Sequence, residues 1–249
     1  MDPGDEKVLT TLWLAEIPDN GDPLSEPEFA GLPAAEAARI ARFRQPQDRW
    51  HRAVAVWLSH YGLEAVTGQP ASRLTLVRDK KGRPGLGSTA FPGDFNISHH
   101  GRWVACATVP TGRVGVDIVA AEDFSPALID GIASPEEKAS LAKGRYDPVL
   151  SAKLWAAKES YVKMCGTGRS VDPRTLVFDI SALRQDHVRL VHPSDTASFT
   201  LLPLSGGYWA AVCTTVPQAR VAIRPVEWRT AARGFLCPKT VEEPSDREN

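Results

Sequence analysis

The sequence predicts an α+β fold built as a pseudo-dimer of two similar α+β halves, with a cleft between them. Three observations point there. A chain of 249 residues suits one large domain or two halves of about 110 residues, and 43% hydrophobic residues supply a core for either. Helix-like and strand-like stretches are mixed along both halves. Finally, "GRWVACATVP" (101–110) and "GYWAAVCTTVP" (207–217) share Gly, Trp and Ala at matching offsets and end in Val-Pro. Gly-x-Trp-x-Ala also recurs by chance, but such an echo is what a duplicated half-domain leaves behind. Halves packed face to face enclose a cleft, a common position for ligands. The expected division is 1–110 and 111–228. Residues 229–249, ending in the charged "EEPSDREN", are expected to be a disordered tail.

The elements follow in order. "KVLTTLWLAEI" (7–17) predicts a strand, and the Pro- and Gly-rich "DNGDPLSEPEFAGLP" (19–33) a loop. From Ala34 to about His60 the pattern is helical, with Ile40, Phe43, Val54, Trp57, Leu58 and Tyr61 at helical spacing and Pro46 dividing it into two helices. "RLTLVRD" (73–79) predicts a strand, "KKGRPGLG" (80–87) a turn-rich connection, and "RWVACATV" (102–109) and "VGVDIV" (114–119) two further strands. "SPALIDGIASPEEKASLA" (125–142) predicts a broken helix whose "SPEE" resembles a helix start. "SAKLWAAKESYVKMC" (151–165) predicts a helix ended by Gly166. "TLVFDI", "HVRLVHP", "FTLLPL" and "GYWAAVCTTVP" predict strands.

Composition narrows the function. With 29 basic and 30 acidic residues the net charge is −1, so neither nucleic acid nor a membrane surface is the expected main partner. No apolar stretch approaches membrane-spanning length, and the polar, acidic "MDPGDEK" is not expected to act as a signal peptide. None of the four cysteines forms a C-x-x-C pair, which argues against zinc clusters and thioredoxin-like chemistry. The expectation is a cytoplasmic protein with reduced thiols.

Three stretches carry candidate chemistry. In "VGVDIV", strand alternation sets Val114, Val116 and Ile118 on one face and Gly115, Asp117 and Val119 on the other. Asp117 is costly to bury without compensation. It suits a metal site or a strand-end turn equally well. In "LWAAKESYVK", Trp155, Glu159 and Lys163 share one helix face at i, i+4, i+8. Glu and Lys four apart also form an ordinary surface pair worth a few tenths of a kcal/mol. In "NISHHG", an Asn-x-Ser pattern often satisfies backbone groups. Adjacent strand histidines diverge, so His99 and His100 suit different jobs, one facing a ligand and one facing elsewhere.

In combination, "KGRP", "FNISHHG", "VGVDI" and "WAAKESYVK", in that order, resemble the signature of the phosphopantetheinyl transferases of the surfactin-activator type, over roughly residues 34 to 217. The resemblance implies a pseudo-dimer with an antiparallel sheet and packed helices in each half. It implies transfer of the 4′-phosphopantetheine arm of coenzyme A to a serine of an apo acyl or peptidyl carrier protein, by a monomeric enzyme. The other product is adenosine 3′,5′-bisphosphate.

It also implies the site. Asp117 and Glu159 match the family's ligands for Mg2+, or for Mn2+ in its place. Lys163 matches the residue that steadies charge on the pyrophosphate, with Glu159 as base for the carrier serine. His99, with Ser98 beside it, matches a coenzyme A phosphate contact, and Arg83 a contact at the nucleotide end. Lys158 is a second phosphate candidate. Arg39, Arg42 and Arg52 are candidates for the 3′-phosphate. Many relatives read D-I-E where this chain has Val119, which implies one carboxylate fewer at the metal. His100 either reaches the metal through water or is a surface histidine. Two carboxylates taken alone also suit a metal-dependent phosphohydrolase or nuclease, and a non-catalytic carrier binder is disfavoured by the intact Asp117, Glu159 and Lys163.

Overall fold

The computed structural model describes residues 9–17, 32–87 and 91–236. Most of the loop expected over 19–33, and the tail from 237 onward, lie outside them.

The chain runs β1 (Leu9–Glu16), α1 (Ala34–Ile40), α2 (Pro46–Thr67), β2 (Leu76–Arg78), β3 (Pro84–Leu86), β4 (Asp94–His100) and β5 (Trp103–Val109). It continues with β6 (Val114–Ala120), α3 (Pro126–Ile132), α4 (Pro135–Leu141), α5 (Pro148–Cys165), β7 (Val177–Phe178), α6 (Ile180–Leu183), β8 (Leu190–His192), β9 (Ser198–Leu204) and β10 (Tyr208–Thr214). Last come β11 (Arg220–Pro225) and α7 (Trp228–Leu236). The fold is therefore mixed α+β. Pro46 sits at the start of α2, where its missing N–H costs nothing. Gly68 and Gly166 end α2 and α5 in left-handed geometry, at φ 69° in each case.

Two main sheets have the strand orders β11-β1-β5-β4 and β6-β10-β9. Within each, a strand, a long helix, a second strand and a hairpin return place the last strand in the middle: β1-β5-β4 around α2, and β6-β10-β9 around α5. The echoed segments are β5 and β10, the corresponding central strands. Pairing is antiparallel throughout these six strands.

Strand alternation builds four layers. Leu12, Leu14, Ala105, Ala107, Val114, Val116, Ile118, Ala210 and Val212 form one core between the two sheets. The opposite face of the first sheet packs on α2, with Val104 and Cys106 meeting Val54, Trp57 and Leu58. The opposite face of the second sheet packs on α5, with Ala211 and Cys213 meeting Leu154 and Ala157. β5 and β10 are buried on both faces, so they read as continuous apolar runs rather than alternating ones.

The C-terminal part departs from the expected plan. β11 pairs parallel to β1, so the first sheet is not wholly antiparallel. α7 then packs on α2, with the Trp228 ring 4.7 Å from Trp50 and 5.7 Å from Trp57. Residues 220–236 thus join the first sheet and its helix, and Ala231 and Ala232 are buried within the stretch 229–249 that was expected to be a disordered tail.

Candidate active site

The two sheets meet at a seam that the motif "DFNIS" builds. Asp94, Asn96 and Ser98 share the β4 face that points at β6. Their side-chain oxygens accept the backbone N–H groups of Val114, Val116 and Ile118 at 3.1, 2.9 and 3.3 Å. Side chains here replace the backbone ladder of an ordinary strand pair and satisfy N–H groups that burial would otherwise orphan. The same alternation sets Asp117 of β6 beside Ser98.

Asp117 is 7% exposed, so its charge needs partners. Lys163 Nζ donates to its Oδ1 at 2.6 Å, and Ser98 Oγ donates to the same oxygen at 3.0 Å. Lys163 Nζ also donates to Ser98 Oγ at 3.0 Å. α5 can come this close because of Gly115, where a Cβ would lie 2.0 Å from the Ser160 carbonyl oxygen. The glycine two residues before Asp117 therefore lets the helix bring Lys163 to it. Glu159, one turn before Lys163, lines the same cleft.

That cleft has a volume of about 450 Å³. Arg52, Ser98, His99, Asp117, Glu159 and Lys163 supply polar and charged lining, and Val119, Phe124, Leu128 and Trp155 apolar lining.

The two histidines diverge, as alternation requires. His99 turns toward α2 and stacks on His51. His100 turns toward the second sheet, pairs with Asp123 at 2.7 Å and lies against the Tyr208 ring. Arg52 lies over the Phe43 ring. Its pKa is pushed down by burial first, then by the charges of Arg39 and Arg78. Three guanidiniums crowded together are a place where an anion would relieve repulsion. Glu36 holds two of them, at 2.5 Å from Arg39 and 3.6 Å from Arg78.

Three expected substrate contacts are otherwise engaged. Lys158 does not face the cleft: its ammonium is fully buried, paired with Glu137 at 2.7 Å and donating to the carbonyls of Ile132, Pro173 and Leu176. Adjacent helix positions diverge by about 100°, so Glu159 and Lys158 cannot serve one cleft. Arg83 is a tether: it pairs with Asp94 at 2.6 Å and donates to the carbonyls of Lys163 and Val114. Arg39 stands beside the cleft, held by Glu36, rather than lining it. Sequence reasoning missed Arg78, which ends β2, and His51, whose only sequence signal is its place next to Arg52.

Burial sets the protonation of three histidines. It pushes His51, His60 and His99 below the ordinary value of 6.5, His99 to about 3 with help from His51, Arg52 and Lys163. Below pH 6.5 the unfolded chain binds protons that the folded chain refuses, so stability falls as pH falls through this window. Each such group adds a slope of up to about 1.4 kcal/mol per pH unit. The urea midpoint should therefore drop between pH 7 and pH 5, and His99→Gln should flatten the drop. An identical slope in that variant would mean that His99 titrates normally.

The chain resembles known proteins along most of its length. A family model described as 4′-phosphopantetheinyl transferase superfamily matches residues 113–213. A second, described as 4′-phosphopantetheinyl transferase, N-terminal, matches residues 26–111. A 4′-phosphopantetheinyl transferase of Bacillus subtilis is 30% identical over 198 residues, 76% of this chain and 85% of that one. The chain belongs to the phosphopantetheinyl transferase superfamily, Sfp type. A phosphopantetheinyl transferase of Thraustochytrium sp. is 33% identical over 159 residues, 56% of this chain and 54% of its own. The 4′-phosphopantetheinyl transferase Sfp of Bacillus subtilis strain 168 is 29% identical over 126 residues, 50% of this chain and 56% of that one. With these last two relatives the match spans about half of their length.

Proposed function

We propose that this chain transfers the 4′-phosphopantetheine arm of coenzyme A to a serine of an apo acyl or peptidyl carrier protein. The observation that carries the reading is one cleft in which Asp117, Glu159 and Lys163 of the second sheet and its helix meet His99 and Arg52 of the first. The carrier serine oxygen attacks the phosphorus that bears the pantetheine. The bond from that phosphorus to the bridging oxygen breaks, and adenosine 3′,5′-bisphosphate leaves with the electron pair. Glu159 takes the serine proton, directly or through a water. Lys163 steadies charge on the pyrophosphate oxygens.

Two hard carboxylates in one cleft fit Mg2+ or Mn2+. Among the described residues no three His, Cys, Asp or Glu side chains gather as a metal cage. Magnesium takes one or two protein carboxylates and completes its shell with water and substrate phosphate, so the donor set suits it. Asp117 and Glu159 would hold the ion, which supplies positive charge against the pyrophosphate when bound. Val119, buried at the cleft on the Asp117 face, supplies no further oxygen.

The rest of the reading follows the same cleft. Arg52, with Arg39 and Arg78 behind it, takes the 3′-phosphate together with His99. The carrier docks near Leu128, which is 43% exposed. The matching strand orders support a duplicated unit, 1–110 and 111–228, with the cleft between its copies and residues 220–236 returned to the first. One chain completes the site, which suits a monomer. The free thiols of Cys106, Cys165 and Cys213 suit the cytoplasm.

The test is transfer of radiolabelled phosphopantetheine from coenzyme A to a panel of apo carriers. Label on no carrier would sink the reading, and hydrolysis of coenzyme A without transfer would favour a phosphohydrolase. A finer expectation concerns His99. His99→Ala should raise KM for coenzyme A about tenfold or more, since a hydrogen bond to a charged group contributes about 1.5–3 kcal/mol. The effect on dephospho-coenzyme A should be much smaller. Equal losses for both would move His99 off the 3′-phosphate.

A further inference from the structure

We propose that His51 is a positioning residue for His99: it sets the plane of that ring and anchors the β4–β5 turn that carries it. The proposal rests on the reading of His99 as a phosphate contact. His51 stands on α2 immediately before Arg52 and is 7% exposed. Its ring centroid lies 4.4 Å from that of His99, with 18° between the planes. Its Nε2–H donates to the Gly101 carbonyl oxygen at 2.7 Å.

That bond decides the tautomer. A neutral imidazole donates from one nitrogen only, so Nδ1 is left as a bare acceptor. Nδ1 is buried and has no hydrogen-bond partner among the described residues. A proton there would find no acceptor, so His51 is neutral at neutral pH. A neutral ring can lie flat on a second imidazole where a charged one would repel any protonated partner. His51 therefore offers His99 a platform and leaves its edge to the cleft.

The turn is closed from the other side as well. Gly101 has φ 53°, and a Cβ there would lie 2.0 Å from the Tyr208 hydroxyl. With Tyr208 against one side and His51 bonded to its carbonyl, Gly101 fixes where β4 ends. His99 is two residues earlier on that strand. The arrangement aims a flexible side chain at an anion before the anion arrives, which lowers the ordering cost of binding.

The experiment uses the full chain, coenzyme A, an apo carrier and 15N-labelled histidine. His51→Leu removes both the flat face and the donor. It should raise KM for coenzyme A about tenfold while kcat stays within about twofold, the pattern of lost ground-state binding. His51→Phe keeps the flat face but not the donor to Gly101, so it should recover part of the loss. In a His99→Ala background, His51→Leu should add nothing to KM. The His99 ring signals should move in His51→Leu and move less in His51→Phe.

If His51→Leu does not fold, His51→Gln takes its place, since it keeps a donor for Gly101 without a ring face. A smaller KM rise is then expected, from loss of the ring face alone. Additive effects with His99→Ala, or wild-type KM together with unmoved His99 signals, would overturn the proposal. If His99→Ala alone leaves KM unchanged, the phosphate reading fails instead, and the His99 signals then decide the positioning claim by themselves.

Discussion

Asp117→Asn gives a folded chain whose phosphopantetheine transfer falls by about a thousandfold or more, and Glu159→Gln does the same. A thousandfold corresponds to about 4 kcal/mol of lost transition-state stabilisation, the scale expected when a charge clamp on a phosphoryl group is removed. Asparagine has the shape of aspartate, so the contact with Ser98 survives and packing is unchanged. Lys163 keeps an oxygen acceptor but loses the negative charge 2.6 Å away, and that side chain is 27% exposed and stays hydrated. The folding penalty should therefore be small, with Tm within a few degrees of wild type. The measurement is kcat/KM for a single apo carrier at saturating magnesium, beside a melt of each variant. Near-normal turnover in either variant removes that residue from the mechanism.

That Asp117, Glu159 and Lys163 come together was legible because these residues obey local periodicity. Strand alternation alone sets Asp117 opposite the core residues Val114, Val116 and Ile118. Helical spacing alone stacks Trp155, Glu159 and Lys163, all three of which line the cleft. The divergence of His99 and His100 follows from the pleat. What the residues did not carry by themselves was a preference between a surface pair and a site, and the proposal of a site rests on the resemblance in motif order.

The remainder depends on contacts far apart in the chain. Lys158 looks like a second phosphate ligand until Glu137 is seen beside it. Glu137 belongs to a capping box and announces only a helix start: it accepts the Ser134 N–H while Ser134 Oγ accepts its own. Its second role as partner of Lys158, 21 residues away, leaves no local mark. Arg83 reads as a basic loop residue, yet its tether partners lie on β4, α5 and β6. β11 escaped because Arg220 and Arg224 and the low burial of an edge strand mask the alternation of Val221 and Ile223. Parallel pairing with β1 brings together residues 211 positions apart, as with Leu9 and Arg220, and no short-range rule reaches that far.

The largest effect on stability should come from Lys158→Met. Lys158 and Glu137 are both fully buried, 2.7 Å apart, and every other bond they make is to backbone. Lys158 ties the end of α3, the Pro173–Leu176 segment and α4 to α5. Glu137 Oε1 accepts the Phe178 N–H at 2.7 Å, which adds β7 to the cluster. Methionine matches much of the lysine stem, so the void is small. The loss is electrostatic: Glu137 remains buried with no cation, and three carbonyls lose their donor. Breaking a buried pair from one side costs about 3–5 kcal/mol. For a chain of this length, 1 kcal/mol moves Tm by about 2–4 °C, so a fall of about 10 °C is expected. The opposing view, in which Lys158 holds a coenzyme A phosphate, predicts a different pair of readings from the same variant: wild-type Tm and a raised KM for coenzyme A. Thermal melts and coenzyme A titrations of Lys158→Met therefore decide between a residue that builds the second half and one that touches the substrate.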